Sequence, residues 1–219
     1  MLAAASRPQR WLLAFALSVF VFHQLPALAG EPLGDAIDVL TPFAVIGSAA
    51  GALIALDARG RILVAAGIAA ILYVDGHGIH LSANSIANEG PGPEVEDLVH
   101  FWDETFSHIE AVLGWFGLVA CICWAEQVRG RSGALQPSGR VTVATAVVLG
   151  WTFFTSTVEG GTWPIELAAT AAFLYWLIKE GRRPLLLAST AAFSLAAVMI
   201  GAYAIWQGGV PQFTEAGLL

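Results

Sequence analysis

The strongest constraint on this chain is a succession of long apolar segments separated by short polar loops. Hydrophobic residues make up 57% of the 219 residues and charged residues only 12%, about half the charged fraction of a typical soluble domain. A helix needs about 20 predominantly apolar residues to cross the hydrocarbon core of a bilayer. The sequence therefore predicts an all-α fold, a polytopic transmembrane bundle that forms a single domain over residues 1–219.

The apolar segments predict seven helices. The first lies within residues 1–30, which also have the basic start, apolar centre and Ala-x-Ala end of a signal peptide. If this segment is removed, the bundle has six helices, and residues 31–219 form its core. The remaining predicted helices cover 33–56, a segment that begins at 62, and then 98–127, 141–161, 163–178 and 184–206.

The basic residues predict the orientation of the bundle. All ten Lys and Arg side chains fall at one end of the predicted helices. Because cytoplasmic loops carry the excess of Lys and Arg, this end is expected to be cytoplasmic, with the N-terminus inside and the C-terminus outside. We expect an integral protein of a bacterial inner membrane, surrounded by lipid. A basic patch with interleaved aromatic residues is absent from the sequence, so nucleic acid is not an expected partner.

Four of the five histidines lie close together in the sequence, at His77, His80, His100 and His108. The third helix has 13 apolar residues, 62–74, before its first acidic residue, and the apolar part of the fourth, 111–125, has 15. Both are shorter than a span, so these helices must carry the histidines into the outer part of the membrane. Gly76 and Gly78 leave open a broken or re-entrant turn there.

Residues on other helices fall at a similar depth. At about 1.5 Å of rise per residue, His80 and His108 lie about 27 Å and about 25 Å above the cytoplasmic ends of their helices. The same calculation puts Asp38 and Glu159 at about 27 Å, and Glu166 also falls in the outer half. Ionisable groups at such depth are costly and indicate a functional site.

Spacings of three and four residues place His77, His80 and Asn84 on one side of the third helix. His100, Glu104 and His108 share a side of the fourth. Imidazole and carboxylate ligands are typical of zinc and non-haem iron sites, and imidazole also suits copper. We therefore expect a divalent metal, with zinc favoured. The predicted ligands are His77, His80, His100, His108 and Glu104. The carboxylates predicted to act as general base or to orient an imidazole are Asp75, Asp103, Glu104 and Glu159.

Two other interpretations of the cluster remain open. Carboxylates and imidazoles can form a hydrogen-bond network that ties helices together, and they can form a proton path. The leading functional hypothesis is a metal-dependent membrane enzyme with its site at the extracytoplasmic side. The simplest such enzyme is a zinc hydrolase. Its substrate would be a lipid, a membrane-associated molecule or a periplasmic small molecule. The alternatives are an iron or copper oxidase or oxygenase, a small proton-coupled transporter, and a non-catalytic subunit of a membrane complex.

Smaller polar features receive ordinary structural interpretations. The hydroxyls of Thr155 and Ser156 are expected to bond to carbonyls of their own helix, with the lining of a cavity as the alternative. Cys121 and Cys123 lie two residues apart on a helix and point to different faces, so no disulfide is expected between them.

Overall fold

The computed structural model describes residues 5–29, 33–90, 92–130, 138–181 and 183–218, and these residues contain helices and no strand. The helices follow the predicted order. They are α1 (Arg7–Ala29), α2 (Leu33–Ala55), α3 (Arg61–Asn88), α4 (Pro93–His100, Phe101–Ser107 and His108–Gly130 in direct succession), α5 (Gly139–Glu159), α6 (Trp163–Glu180) and α7 (Pro184–Gln207).

Five of these helices are long and apolar enough to cross a membrane. The qualifying stretches in the described part of the chain are Ala36–Ala55, Arg61–Asn88, Val95–Gly130, Gly139–Glu159 and Pro184–Gln207. They belong to α2, α3, α4, α5 and α7. The prediction of an all-α bundle with several membrane-crossing helices is therefore supported, and the multi-pass character rests on these five.

The possible break in the third helix is not observed, because α3 runs without interruption from Arg61 to Asn88. Gly76 serves close packing instead. A Cβ atom at this position would lie 2.5 Å from the Ser107 carbonyl oxygen and 2.6 Å from the Ala111 backbone nitrogen. Gly114 on α4 is equally tight, since its Cβ would lie 2.5 Å from the Tyr73 nitrogen. Small residues let the backbones of α3 and α4 approach closely.

Buried aromatic side chains form the centre of the bundle. Tyr73 of α3 and Trp115 of α4 are both buried, with ring centroids 5.6 Å apart. Further along the chain, Phe193 of α7 packs against Phe116 of α4 at 4.8 Å and against Phe173 of α6 at 4.4 Å. These contacts join four helices into one core, which fixes the relative positions of α3 and α4.

The segment predicted as first helix or signal peptide forms α1 and packs against α2 and α5. Phe15, Ala16 and Val19 are fully buried and belong to the shared core. The amide of Gln9 donates to the hydroxyl of Thr142 at 3.3 Å, which links the first turns of α1 and α5. In this structure α1 is therefore an integral part of the bundle.

The end of the bundle where the Lys and Arg residues of the described segments lie, called here the basic end, is held by buried polar contacts. The carboxylate of Glu126 accepts hydrogen bonds from the backbone nitrogens of Leu185 and Leu186, at 2.9 Å each. It thereby satisfies two donors at the start of α7 that have no partner within the helix. Arg129 donates to the carbonyl oxygen of Ala55 at the end of α2. The opposite end, called here the outer end, carries His77, His80, His100 and His108.

Candidate functional site

The candidate site lies at the outer end, between the last third of α3 and the middle segment of α4. This segment, Phe101–Ser107, is a π-helix. Its wider turn buries both Asp103 and Ser107, and the Ser107 hydroxyl donates to the carbonyl oxygen of Asp103. Short π-helical segments inside α-helices occur frequently at functional sites. Here the segment directs the carboxylate of Asp103 toward α3.

His80 is the residue of α3 that meets this carboxylate. Its Nδ1 atom lies 2.6 Å from Oδ1 of Asp103. On the other side of the ring, Nε2 lies 3.2 Å from the Asn84 amide nitrogen. An ionised carboxylate only accepts hydrogen bonds, so the proton of a neutral His80 belongs on Nδ1. The Nε2 atom then holds a lone pair, toward which the exposed Asn84 amide donates.

His108 has the same arrangement on α4. Its Nδ1 atom lies 3.1 Å from the carbonyl oxygen of Glu104 and 3.8 Å from Oε2 of the same residue. Both are acceptors, so Nδ1 carries the proton and Nε2 the lone pair. The ring centroids of His80 and His108 are 5.2 Å apart. These two histidines, one from each polar row, therefore lie next to each other across α3 and α4.

A glycine holds the other side of the His108 ring. A Cβ atom at Gly160, just after α5, would lie 2.7 Å from Nδ1 of His108. The ring of His108 is thus confined between α3 and the turn that joins α5 to α6. This confinement limits the rotation of the imidazole and keeps it beside His80.

His77 points to another helix. Its Nε2 atom lies 2.9 Å from the carbonyl oxygen of Asp38 on α2 and 3.4 Å from Oδ1 of the same residue. Because both atoms are acceptors, Nε2 is a donor and is not available as a ligand in this arrangement. The predicted convergence in depth of Asp38 with the histidines is observed, but its partner is His77, and the contact joins α2 to α3.

The complete predicted ligand set is not assembled. His100 is exposed at the end of the first segment of α4. Among the described residues, no group of three or more His, Cys, Asp or Glu side chains is arranged to hold a metal ion. The structure brings together His80, Asp103 and His108, with Glu104 beside them. We call these four residues the outer cluster.

Two predicted catalytic carboxylates have partners outside the outer cluster. Oε2 of Glu159 accepts hydrogen bonds from the backbone nitrogens of Phe213 at 2.7 Å and Thr214 at 3.4 Å. It thereby fastens the segment after α7 to the end of α5. The exposed Asp75 lies near Glu110 of α4, whose Cβ atom would be 2.9 Å from a Cβ at the neighbouring Gly76.

The remaining polar residues singled out in the sequence are engaged within or between neighbouring helices. Glu166 is fully buried, and its Oε1 atom accepts a hydrogen bond from the Thr170 hydroxyl at 3.2 Å. The hydroxyl of Thr155 donates to the carbonyl oxygen of Trp151 at 3.2 Å, as expected for a helix interior. Cys121 and Cys123 are both buried free thiols.

Sequence reasoning missed three features. These are the π-helical segment, the capping role of Glu126 and the position of Glu110 near Asp75. Glu126 had one available signal, an acidic residue inside the basic end of an apolar helix, where a carboxylate needs a local partner. The π-helical segment has no recognisable sequence signal, because its residues, Phe-Trp-Asp-Glu-Thr-Phe-Ser, also suit an α-helix.

Comparison of the chain with protein-family models, with curated proteins and with solved structures finds no match.

Proposed function

We propose that the outer cluster binds a divalent metal ion, with zinc favoured, and that the protein is a metal-dependent membrane enzyme. The simplest activity is hydrolysis of a lipid or membrane-associated substrate at the extracytoplasmic side. The proposal includes seven spanning helices in a bacterial inner membrane, with the basic end in the cytoplasm. The concentration of all ten Lys and Arg at one end of the helices predicted from the sequence supports this orientation.

One observation supports the metal proposal: the imidazole rings of His80 and His108 lie next to each other on facing helices. Two imidazoles that bind one tetrahedral zinc at about 2.0–2.1 Å have ring centroids roughly 5 Å apart. The separation of His80 and His108 is 5.2 Å. Each ring also has an oxygen acceptor at Nδ1, which is the usual outer-shell arrangement of metal-binding histidines. A metal at Nε2 of His80 would replace the contact with Asn84.

Glu104 is the natural third ligand or general base. Its carboxylate is half-buried and lies 3.8 Å from Nδ1 of His108. Glu104 is the residue after Asp103 in the same turn of α4. Rotation of this side chain is needed to complete a three-ligand set. Zinc held by His80 and His108 would supply a water of lowered pKa, about 7, as the nucleophile for hydrolysis. Asp103 holds the His80 ring, while Glu159 and Asp75 are engaged elsewhere.

Metal analysis of the purified protein tests this proposal directly. One zinc ion per chain is the expected result, and iron or copper would indicate an oxidase or oxygenase instead. Replacement of His80 or His108 by alanine should remove the metal. The exposed His100 provides a matched control, and His100→Ala should retain the metal. Full metal content in both the His80→Ala and His108→Ala proteins, or no metal in the wild-type protein after reconstitution, would refute the proposal.

A second candidate function is a proton path, and a separate observation favours it. Three imidazoles each lie beside a carboxylate, in the pairs His77–Asp38, His80–Asp103 and His108–Glu104. Chains of such pairs form proton relays in transporters. Liposomes with an imposed pH gradient distinguish the two functions. Proton flux that Asp103→Asn abolishes, in protein that binds no metal, would favour the relay over the enzyme.

A further inference from the structure

A large apolar groove runs along α3 on the side turned away from the outer cluster. Its volume is about 840 Å³, and it is lined by α3, by the first half of α4 and by Ile46 of α2. Among the fourteen lining residues that the structure describes, only Asp75 and Ser82 contribute polar side chains, apart from the indole of Trp102. A groove of this size and composition fits an apolar ligand and offers few hydrogen-bond partners to a polar one.

The length of the groove matches a lipid chain. Along α3 it extends from Ala70 to Ile86, a rise of about 24 Å. One leaflet contributes roughly 15 Å of hydrocarbon, half of the bilayer core. The groove is therefore long enough to hold an acyl chain through the whole hydrocarbon layer of one leaflet. The remaining length of the groove lies at the level of the lipid head group. Trp102 lines the groove, and an aromatic side chain of this kind suits the boundary between lipid and water.

The charge around the mouth of the groove restricts the head group. The α3–α4 connection and the start of α4 carry exposed acidic residues, Glu89, Glu96 and Asp97. No Lys or Arg occurs anywhere between residues 62 and 128. These carboxylates would repel an anionic head group at this position and attract an amine. The complementary ligand is therefore an amine-bearing lipid.

We propose that the groove between α3 and the first half of α4 binds one acyl chain of an amine-bearing phospholipid, whose ammonium group lies against Glu89, Glu96 and Asp97. This site differs from the outer cluster. Gly78 and Ser82 line the groove, while His80 and Asn84 face the other way, because residues two apart on a helix point about 160° from each other. The proposal does not depend on a metal or on a catalytic activity.

Gly78 allows a selective test because it faces the groove and no atom lies within 4 Å of the position that a Cβ would occupy. Gly78→Leu should therefore fill the groove without disturbing the helix packing. Gly67 offers a matched control on the same helix, since its Cβ also meets no atom within 4 Å and it does not line the groove. Both substitutions also improve helix propensity, so neither is expected to unfold α3.

The experiment is native mass spectrometry of protein released from nanodiscs that contain equal amounts of phosphatidylethanolamine and phosphatidylglycerol. The wild-type and Gly67→Leu proteins should retain phosphatidylethanolamine preferentially. The Gly78→Leu protein should retain about tenfold less phosphatidylethanolamine. A loss of this size corresponds to roughly two methylene groups of the acyl chain that no longer contact the groove. Equal retention by the Gly78→Leu and Gly67→Leu proteins would overturn the assignment of the groove.

A second variant tests the head group separately from the acyl chain. The triple replacement Glu89→Gln, Glu96→Gln and Asp97→Asn removes the negative charge at the mouth and leaves the apolar lining intact. It should abolish the preference for phosphatidylethanolamine over phosphatidylglycerol while total lipid retention persists. A preference for phosphatidylglycerol in the wild-type protein, or an unchanged preference in the triple variant, would overturn the amine assignment.

Discussion

Nδ1 of His80 and Oδ1 of Asp103 lie 2.6 Å apart and connect α3 to the π-helical segment of α4. The carboxylate of Asp103 is almost fully buried, whereas the His80 side chain is 29% exposed. The buried partner therefore fixes the ring, and the exposed edge of the ring presents Nε2. This asymmetry makes Asp103 the residue that determines which nitrogen of His80 is available to a ligand.

The first prediction concerns Asp103→Asn. The asparagine keeps the size of the side chain but removes the negative charge, and its amide can rotate to donate toward Nδ1. The zinc affinity should fall by about 10–100-fold, as is typical when the partner of a metal-binding histidine is lost. Competition with a chelator of known affinity measures this change in the purified protein.

Asp97→Asn is the control for that experiment. Asp97 belongs to the same helix and is exposed, so its replacement should leave the zinc affinity unchanged. If Asp103→Asn and Asp97→Asn proteins bind zinc equally well, Asp103 does not position His80 for a metal.

The second prediction compares alanine at two glycines of α3. Gly76→Ala would place a Cβ atom 2.5 Å from the Ser107 carbonyl oxygen, and the backbone of α4 cannot yield without moving the helix. Overpacking of this kind typically lowers the free energy of unfolding by about 1–3 kcal/mol. Gly78→Ala meets no atom within 4 Å and should be neutral or stabilising by up to about 1 kcal/mol. Thermal unfolding in detergent measures both; equal stability of the two variants would contradict the close packing of α3 on α4.

The third prediction concerns Glu126 at the basic end. Glu126→Ala leaves the buried backbone nitrogens of Leu185 and Leu186 without their acceptor. Each unsatisfied buried donor costs about 1–3 kcal/mol, so a clear loss of thermal stability is expected. Glu126→Gln retains one acceptor oxygen and should be less harmful. Glu96→Ala, an exposed position on the same helix, should have little effect on unfolding. Similar unfolding temperatures for Glu126→Ala and Glu96→Ala would exclude the capping role.

The helices could be predicted from the sequence because their apolar segments are long and their connections are short. The predicted second, fifth and seventh helices differ from α2, α5 and α7 by no more than two residues at either end. The end of α3 was harder to predict, since its last turns are polar and contain Gly76 and Gly78. Those glycines suit a turn and a tight helix contact equally well. The position of α4 decides between a turn and a tight helix contact.

The candidate site could be predicted only in part. Helical spacing and depth predict that His80 and His108 lie at a similar level, and the structure brings their rings together on adjacent antiparallel helices. Spacing and depth were not sufficient for His77, which is one turn nearer the basic end and contacts α2 instead. Spacing along one helix gives the side on which a residue lies, but the neighbour on that side depends on the packing of all seven helices.

The fourth prediction concerns the segment after α7, which Glu159 fastens to the outer end. Glu159→Gln preserves an acceptor for the Phe213 and Thr214 nitrogens but removes its charge. Hydrogen bonds to charged groups contribute about 1.5–3 kcal/mol, compared with about 0.5–1.5 kcal/mol for neutral ones. Amide hydrogen exchange at Phe213 should therefore accelerate by about tenfold, which mass spectrometry can measure on peptides from the end of the chain.

Glu180→Gln is the matched control for this measurement, because Glu180 is exposed at the opposite end of the bundle. Amide hydrogen exchange at Phe213 in the Glu180→Gln protein should equal that in the wild-type protein. The ring of Phe213 also packs against Tyr203 at 5.2 Å and against Phe154 at 5.6 Å, so the segment should loosen without detaching completely. Unchanged exchange in the Glu159→Gln protein would mean that these aromatic contacts alone hold the segment. Glu159 would then remain available to the outer cluster, whose His108 lies against the following glycine.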